Sequence, residues 1–312
     1  MTSPTRIGYV LCTIAAIVWA GTAPGIKYLL DVYHVPGVTL ALWRDVFVTL
    51  VAGNVVLIIN RQALRIPWGS LRPLLFLGVI SIGIYHALWI WSVALNGAAV
   101  AVVLIYLFPT FVTIGARFMF GETLRWPQVV GLLLSLIGMV LLVKLYDPAQ
   151  VRLNWLGITV GLTTAVLQAF YVLYTQRAVE TVDPWASLTV TMASGSLALL
   201  VIIACAPLIM PAQAPGLLQV GDMVAWGILF ALAIGPTLGG YALFNMSLKY
   251  IPASIGGLIL VLEAPTASAI AILFLGETLA LLQYVGVALI VVSILFPTVI
   301  PKPATQPAPN DV

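Results

Sequence analysis

The stretch Pro109 to Leu124 ends in Gly121-Glu122-Thr123-Leu124 and runs into an apolar segment; the stretch Pro265 to Leu279 ends in Gly276-Glu277-Thr278-Leu279 and does the same. The proline-to-glycine spacing is 12 residues in the first copy and 11 in the second. Ahead of each proline lies an apolar span, introduced by Ala94-Leu95-Asn96-Gly97 in one copy and Ser247-Leu248-Lys249-Tyr250 in the other. The segment is therefore the visible part of an internal duplication, and what it decides depends on how many crossings one copy contains.

Working outward, apolar runs between breakers give ten spans: roughly 7–30, 39–60, 73–95, 98–119, 126–146, 155–176, 186–210, 223–248, 253–275 and 280–300. Runs of about twenty apolar residues are what transmembrane helices need, whereas barrel strands alternate over about ten. Only 23 of 312 side chains are charged, against 62 % hydrophobic, and the mean hydropathy is +1.13. A water-soluble globule carries about a quarter charged residues, so this composition excludes one. The expected fold is an all-α integral membrane protein with ten transmembrane helices. Each repeat takes five of them, residues 1–150 and 151–300, with 301–312 a disordered cytoplasmic tail.

Five is odd, so the second copy must enter the membrane from the side opposite to the first, and the two halves surround a central cavity as inverted repeats. The first run is too long for a secretory signal core and reads as a retained helix. With the N-terminus in the cytoplasm, nine Lys and Arg side chains fall inside and four (Lys27, Arg44, Lys144, Arg152) outside, which places both termini inside. Glu122 then lies at the cytoplasmic face and Glu277 at the outer one. Trp68, Trp126, Trp155 and Trp185 begin their helices and are expected in the headgroup belt.

Several chemistries are set aside. Cys12 and Cys205 have no metal-site or disulfide spacing, no cofactor is expected, and a net charge of +3 without a basic stripe gives no reason to invoke nucleic acid. The chain has no HExxH, no GxSxG and no aspartate cluster, which argues against a polytopic membrane enzyme.

Polar groups inside hydrocarbon call for an explanation, either as helix-to-helix bonds or as a solute path. The third span carries Tyr85, His86, Trp89, Ser92 and Asn96; the sixth Thr164, Gln168, Tyr171 and Thr175; the eighth Thr237, Tyr241 and Asn245. The small hydroxyls read as interface bonds. The large groups would hold helices apart, so Tyr85, His86, Trp89, Gln168, Tyr171, Tyr241 and Asn245, with Trp19 and Glu263, are the expected substrate-binding set. Glu263 stands at the centre of the ninth span, where an unpaired acid costs on the order of 3 kcal/mol. It is expected either to hold a substrate ammonium or a proton, or to bond backbone groups freed by Pro265.

Lys27 with Asp31 reads as an ordinary pair near the outer interface, and the neighbours Arg44 and Asp45 as pairing there with groups on adjacent helices, all in gate or structural roles. Pro24, Pro109, Pro236 and Pro265 interrupt four spans and are expected hinges. Gly21 with Gly25, Gly157 with Gly161 and Gly235 with Gly239 give GxxxG spacing, expected to serve packing. In the Gly-Glu-Thr segments, Gly relieves the turn, Thr caps the next helix and the acid sits at that helix's positive end.

The paired five-helix halves, Trp19-Ala20-Gly21, the two Gly-Glu-Thr segments and Leu262-Glu263-Ala264-Pro265 resemble the drug/metabolite transporter superfamily. More narrowly, the chain is similar to ten-helix EamA-type exporters, in the branch that exports aromatic and other neutral amino acids from bacteria. One departure is Ala264 between Glu263 and Pro265, where related proteins often read Leu-Glu-Pro. The resemblance implies export of neutral amino acids across the bacterial inner membrane by alternating access. The expected partners are a small-molecule amino-acid substrate and the lipid bilayer, and a monomer is expected. Export of other small metabolites or cationic drugs is the alternative it leaves open.

Overall fold

The computed structural model describes residues 3–148, 151, 153–209, 215–276 and 278–299. The expected tail, Glu277, Arg152 and Lys302 fall outside the described residues.

The described chain is helical, in the order α1 (Ser3–Trp19), α2 (Thr22–Tyr33), α3 (Gly37–Asn60), α4 (Trp68–Gly78), α5 (Tyr85–Ile105), α6 (Phe108–Phe120), α7 (Trp126–Leu142), α8 (Trp155–Ala178), α9 (Pro184–Ile209), α10 (Met223–Leu232), α11 (Gly239–Ser247), α12 (Ala253–Leu260), α13 (Glu263–Leu275) and α14 (Leu281–Val299). These assemble into ten passes. Seven segments are long and apolar enough to cross a bilayer, and the 38-residue segment Trp68–Ile105 turns at Gly97, whose φ of 78° lies in the left-handed region that favours glycine. Its second part continues through a break at Tyr106–Leu107 into α6, while α7 and α14 supply the fifth and tenth passes.

The duplication governs the packing. The second pass (α3) packs on the seventh (α9), the fifth (α7) on the tenth (α14), and the fourth (α6) on the ninth (α12). The first (α1) packs on α11 of the eighth, as the sixth (α8) packs on α5 of the third. Exchanging the halves leaves this set of neighbours unchanged, which is what a pseudo-two-fold axis between two inverted five-helix units requires.

Two details repeat with it. The third pass contains a π turn at Val79–Ile84 and the eighth one at Ala233–Leu238, the latter holding Pro236. Each inserts an extra residue into the helical ladder and turns the residues that follow it, as π turns at functional sites do. The fourth and ninth passes both break near mid-length, so Pro109 and Pro265 stand in the first turn of α6 and α13, where a missing N–H costs no ladder bond. Pro24 stands likewise in the first turn of α2, after the break at Ala20–Gly21.

Some sequence expectations are revised. Trp68, Trp126 and Trp155 are exposed at their helix starts, but Trp185 is half-buried and packs against the cluster containing Val182 and Ala186. A Cβ on Gly157 or Gly161 would stand 2.5 Å from Asn96 or 2.6 Å from Leu104, so that pair does bring α8 against α5; Gly235 meets open space. Ser92 donates to the Gly157 carbonyl at 3.3 Å and Asn96 accepts from the Asn154 N–H at 2.9 Å, placing both in that helix contact.

Candidate functional site

The three helix breaks and two π turns converge on one cavity of about 380 Å³. The α1–α2 break contributes Trp19 and Thr22, the α5–α6 break Ile105, Tyr106 and Phe108, and the α12–α13 break Leu260, Glu263 and Ala264. The π turns bring in Tyr85, His86 and Tyr241, each within three residues of a turn's end. Arg44, Trp89 and Gln168 complete the polar lining. Broken helices leave unpaired backbone groups at mid-bilayer, which is tolerated only where they line a cavity or are buried in protein.

Of the expected binding residues, Trp19, Tyr85, His86, Trp89, Gln168, Tyr241 and Glu263 line this cavity. Tyr171 and Asn245 do not. The Tyr171 hydroxyl donates to Asn245 Oδ1 at 3.0 Å, and the Tyr171 ring packs edge-on against Tyr241 at 5.4 Å, so the pair braces the wall from behind. Trp19 packs against the same tyrosine at 4.3 Å. Glu263 is the first residue of α13, at the positive end of a half-helix, and the Tyr106 hydroxyl from the other half's break faces its carboxyl.

Arg44 and Asp45 require a correction, because they are not interfacial. Asp45 is wholly buried and Arg44 nearly so, and together they close on His86. An Arg44 Nη2 stands 2.8 Å from His86 Nε2, His86 Nδ1 stands 3.0 Å from Asp45 Oδ2, and Arg44 Nε donates to Asp45 Oδ1 at 3.5 Å. Arginine can only donate, so Nε2 accepts and Nδ1 carries the proton that Asp45 receives. Glu263 is thus not the sole deep acid. Arg44 and His86 face the cavity while Asp45 stands behind them, neutralising the cation without offering a charge to a solute.

Sequence reasoning also missed Thr22 and Tyr106. Thr22 Oγ1 is buried on the cavity wall without a hydrogen-bond partner among the described residues, and α2 begins there without a side-chain cap. The available signal was the Gly21-Thr22-Ala23-Pro24 sequence, a polar residue at a helix restart inside a span.

At the Glu122 end the two halves are bonded to each other, beside an outer cleft of about 710 Å³ that shares no lining residue with the central cavity. Gly121 takes the left-handed conformation expected of it, with φ 67°. The next helix, however, is capped by Gln128, whose Oε1 accepts from the Arg125 N–H at 3.0 Å, and not by Thr123, and Glu122 reaches across to the other half, where it accepts from the Ser254 hydroxyl at the start of α12. The Ala253 N–H donates to Gln176 Oε1 at 2.7 Å beside it. Burial raises the Glu122 carboxyl above its ordinary range, and the Ser254 bond works against that shift. The cavity lining extends instead to Ile26, Leu142 and Val143, at the opposite end.

Residues 6–144 and 155–299 each match the EamA-like transporter family. The chain belongs to that family. Among its relatives are the uncharacterized transporter YwfM of Bacillus subtilis, 25 % identical over 301 residues that cover 93 % of both chains, and a protein of Streptantibioticus cattleyicolor described as a probable terminal-alkyne amino-acid exporter. The latter is 27 % identical over 282 residues, 88 % of each chain. A crystal structure 22 % identical in sequence superposes with a TM-score of 0.75, covering 95 % of this chain and 97 % of its own. Two EamA-like units per chain agree with the pseudo-symmetric packing, and the cavity lies where the two units meet.

Proposed function

We propose that the protein exports neutral, including aromatic, amino acids across the bacterial inner membrane by alternating access, as a monomer with both termini in the cytoplasm. The observation that carries this reading is the cavity's composition: aromatic walls from Trp19, Tyr85, Trp89, Tyr106 and Tyr241, with a basic and an acidic side chain, Arg44 and Glu263. Rings accommodate an apolar side chain, and opposite charges suit a zwitterion. The amino-acid exporter among the relatives supports the same substrate class.

With that orientation the Glu122 end is the cytoplasmic one, so the present arrangement is open outward. Rocking of residues 1–150 against 151–300 would open the other end, with the breaks at Pro24, Pro109 and Pro265 and the π turn at Pro236 as hinges.

Proteoliposomes loaded with labelled neutral amino acids test the reading. Efflux above that of empty liposomes is expected for phenylalanine and leucine, and its dependence on an imposed pH gradient separates coupled from passive export. No efflux for any neutral amino acid refutes the proposal.

A further inference from the structure

The zwitterion reading leaves open which end of the solute faces which wall, and the structure assigns it: Arg44, Thr22 and the start of α2 form a carboxylate subsite, and Glu263 with Tyr106 forms an ammonium subsite. The assignment rests on the proposed function and sharpens it to the α-amino acid backbone as the recognised group.

Three features of this cavity's wall point to the carboxylate subsite. Arg44 has five N–H donors, of which, among the described residues, two are engaged by Asp45 and His86. The remaining donors keep the planar fork that fits a carboxylate. The guanidinium is held from behind by a neutral His86 tautomer and a wholly buried acid, so it is fixed in direction without being covered. Next, α2 is a twelve-residue helix that starts at the cavity with no side-chain cap; Pro24 has no N–H, so an anion drawn to this positive helix end would meet the N–H groups of Thr22 and Ala23, both on the cavity wall. Finally, Thr22 is 8 % exposed and its hydroxyl has no partner among the described residues, although buried hydroxyls are ordinarily bonded. A carboxylate would accept from the hydroxyl, the helix start and Arg44 together. Ile26 of α2 and Trp43, the neighbour of Arg44, pack against the same apolar cluster, and Ile26 and Arg44 both line the cavity.

The ammonium subsite lies across the helix breaks. Glu263 is half-buried, its exposure being to the cavity, and the Tyr106 hydroxyl beside it adds an acceptor. An ammonium has three donors and no acceptor, which a carboxylate and a phenol oxygen can receive.

The test uses binding to purified, detergent-solubilised full-length protein, read by calorimetry. The probes are phenylalanine, phenylalaninamide, which lacks the carboxylate, and 3-phenylpropionate, which lacks the ammonium. Wild type should prefer phenylalanine over either analogue by at least about tenfold, because a site built to bond a polar group rejects the analogue that lacks it. Arg44→Gln and the near-isosteric Thr22→Val should lose most of the preference over the amide and keep that over 3-phenylpropionate; Glu263→Gln should do the reverse. Equal wild-type affinity for phenylalanine and its amide overturns the assignment without any variant, as does an Arg44→Gln protein that still discriminates. Binding without discrimination leaves export standing and removes only the subsites, whereas no binding of any neutral amino acid overturns both.

Discussion

Replacing Asp45 by asparagine removes one charge from the Arg44–Asp45–His86 clamp and little else, since the asparagine oxygen can still accept from His86 Nδ1. What is lost is the attraction across the 3.5 Å between Arg44 Nε and Asp45 Oδ1. Unit charges at that separation attract by about 4–5 kcal/mol at an effective dielectric near 20. The His86 bond weakens as well, because a bond to a charged acceptor is worth about 1.5–3 kcal/mol and one to a neutral acceptor about 1 kcal/mol. Against this, Arg44 borders the cavity, where water can solvate the released guanidinium. The net expectation is a loss of about 3–5 kcal/mol, the range for breaking a buried pair from one side.

The double variant Arg44→Gln with Asp45→Asn removes both charges and should recover at least about 2 kcal/mol of that loss, since a neutral pair carries no uncompensated charge. Reversible unfolding in mixed micelles, titrated with sodium dodecyl sulfate and followed by tryptophan fluorescence, measures both. A loss below about 1 kcal/mol for Asp45→Asn would refute the claim that the clamp holds a desolvated cation. So would a double variant as unstable as the single one. Transport separates the roles further, because the double variant should be stable and inactive.

Two further predictions concern other parts of the bundle. Glu122, raised by burial above its ordinary 4.5, favours its protonated form in this closed arrangement, so its contribution to stability is fully present at pH values below 4.5 and is lost as pH rises through the raised value. The melting temperature of Glu122→Gln should therefore match wild type at low pH and exceed it increasingly toward pH 8; parallel profiles would contradict this. A Cβ on Gly138 would stand 2.7 Å from the Gly286 carbonyl oxygen, and one on Gly286 would stand 2.6 Å from the Gly138 carbonyl oxygen. Each alanine substitution should destabilise by about 1–3 kcal/mol, while the double variant costs less than the sum because the first already parts α7 from α14; strict additivity in the unfolding assay would contradict the shared contact.

The architecture was legible because its signals are local or arithmetical. A Gly-Glu-Thr segment recurring after a proline marks the copies, and an odd number of apolar runs per copy fixes their opposition. Glu263 was legible too, since a charge at the middle of an apolar run stands out wherever its neighbours lie. The clamp was not, for two physical reasons. Adjacent residues on a helix point about 100° apart, so Arg44-Asp45 reads as two outward groups unless a third residue bridges them. That third residue, His86, comes to them through the rotation left by the π turn at Val79–Ile84, and five apolar or small residues and a serine announce no such turn. Depth was misjudged as well: with α3 starting at Gly37, Arg44 is the eighth residue and sits about 10 Å along the helix from its start, not in the headgroups. Tyr171 and Asn245 show the opposite error. Both satisfy the spacing of a polar seam, yet they satisfy each other, and periodicity cannot tell a group that bonds a solute from one that bonds its neighbour. What distinguishes Thr22 from them is the missing partner, a property that exists only once the helices are packed, and it is at such unsatisfied groups that a solute has something to gain.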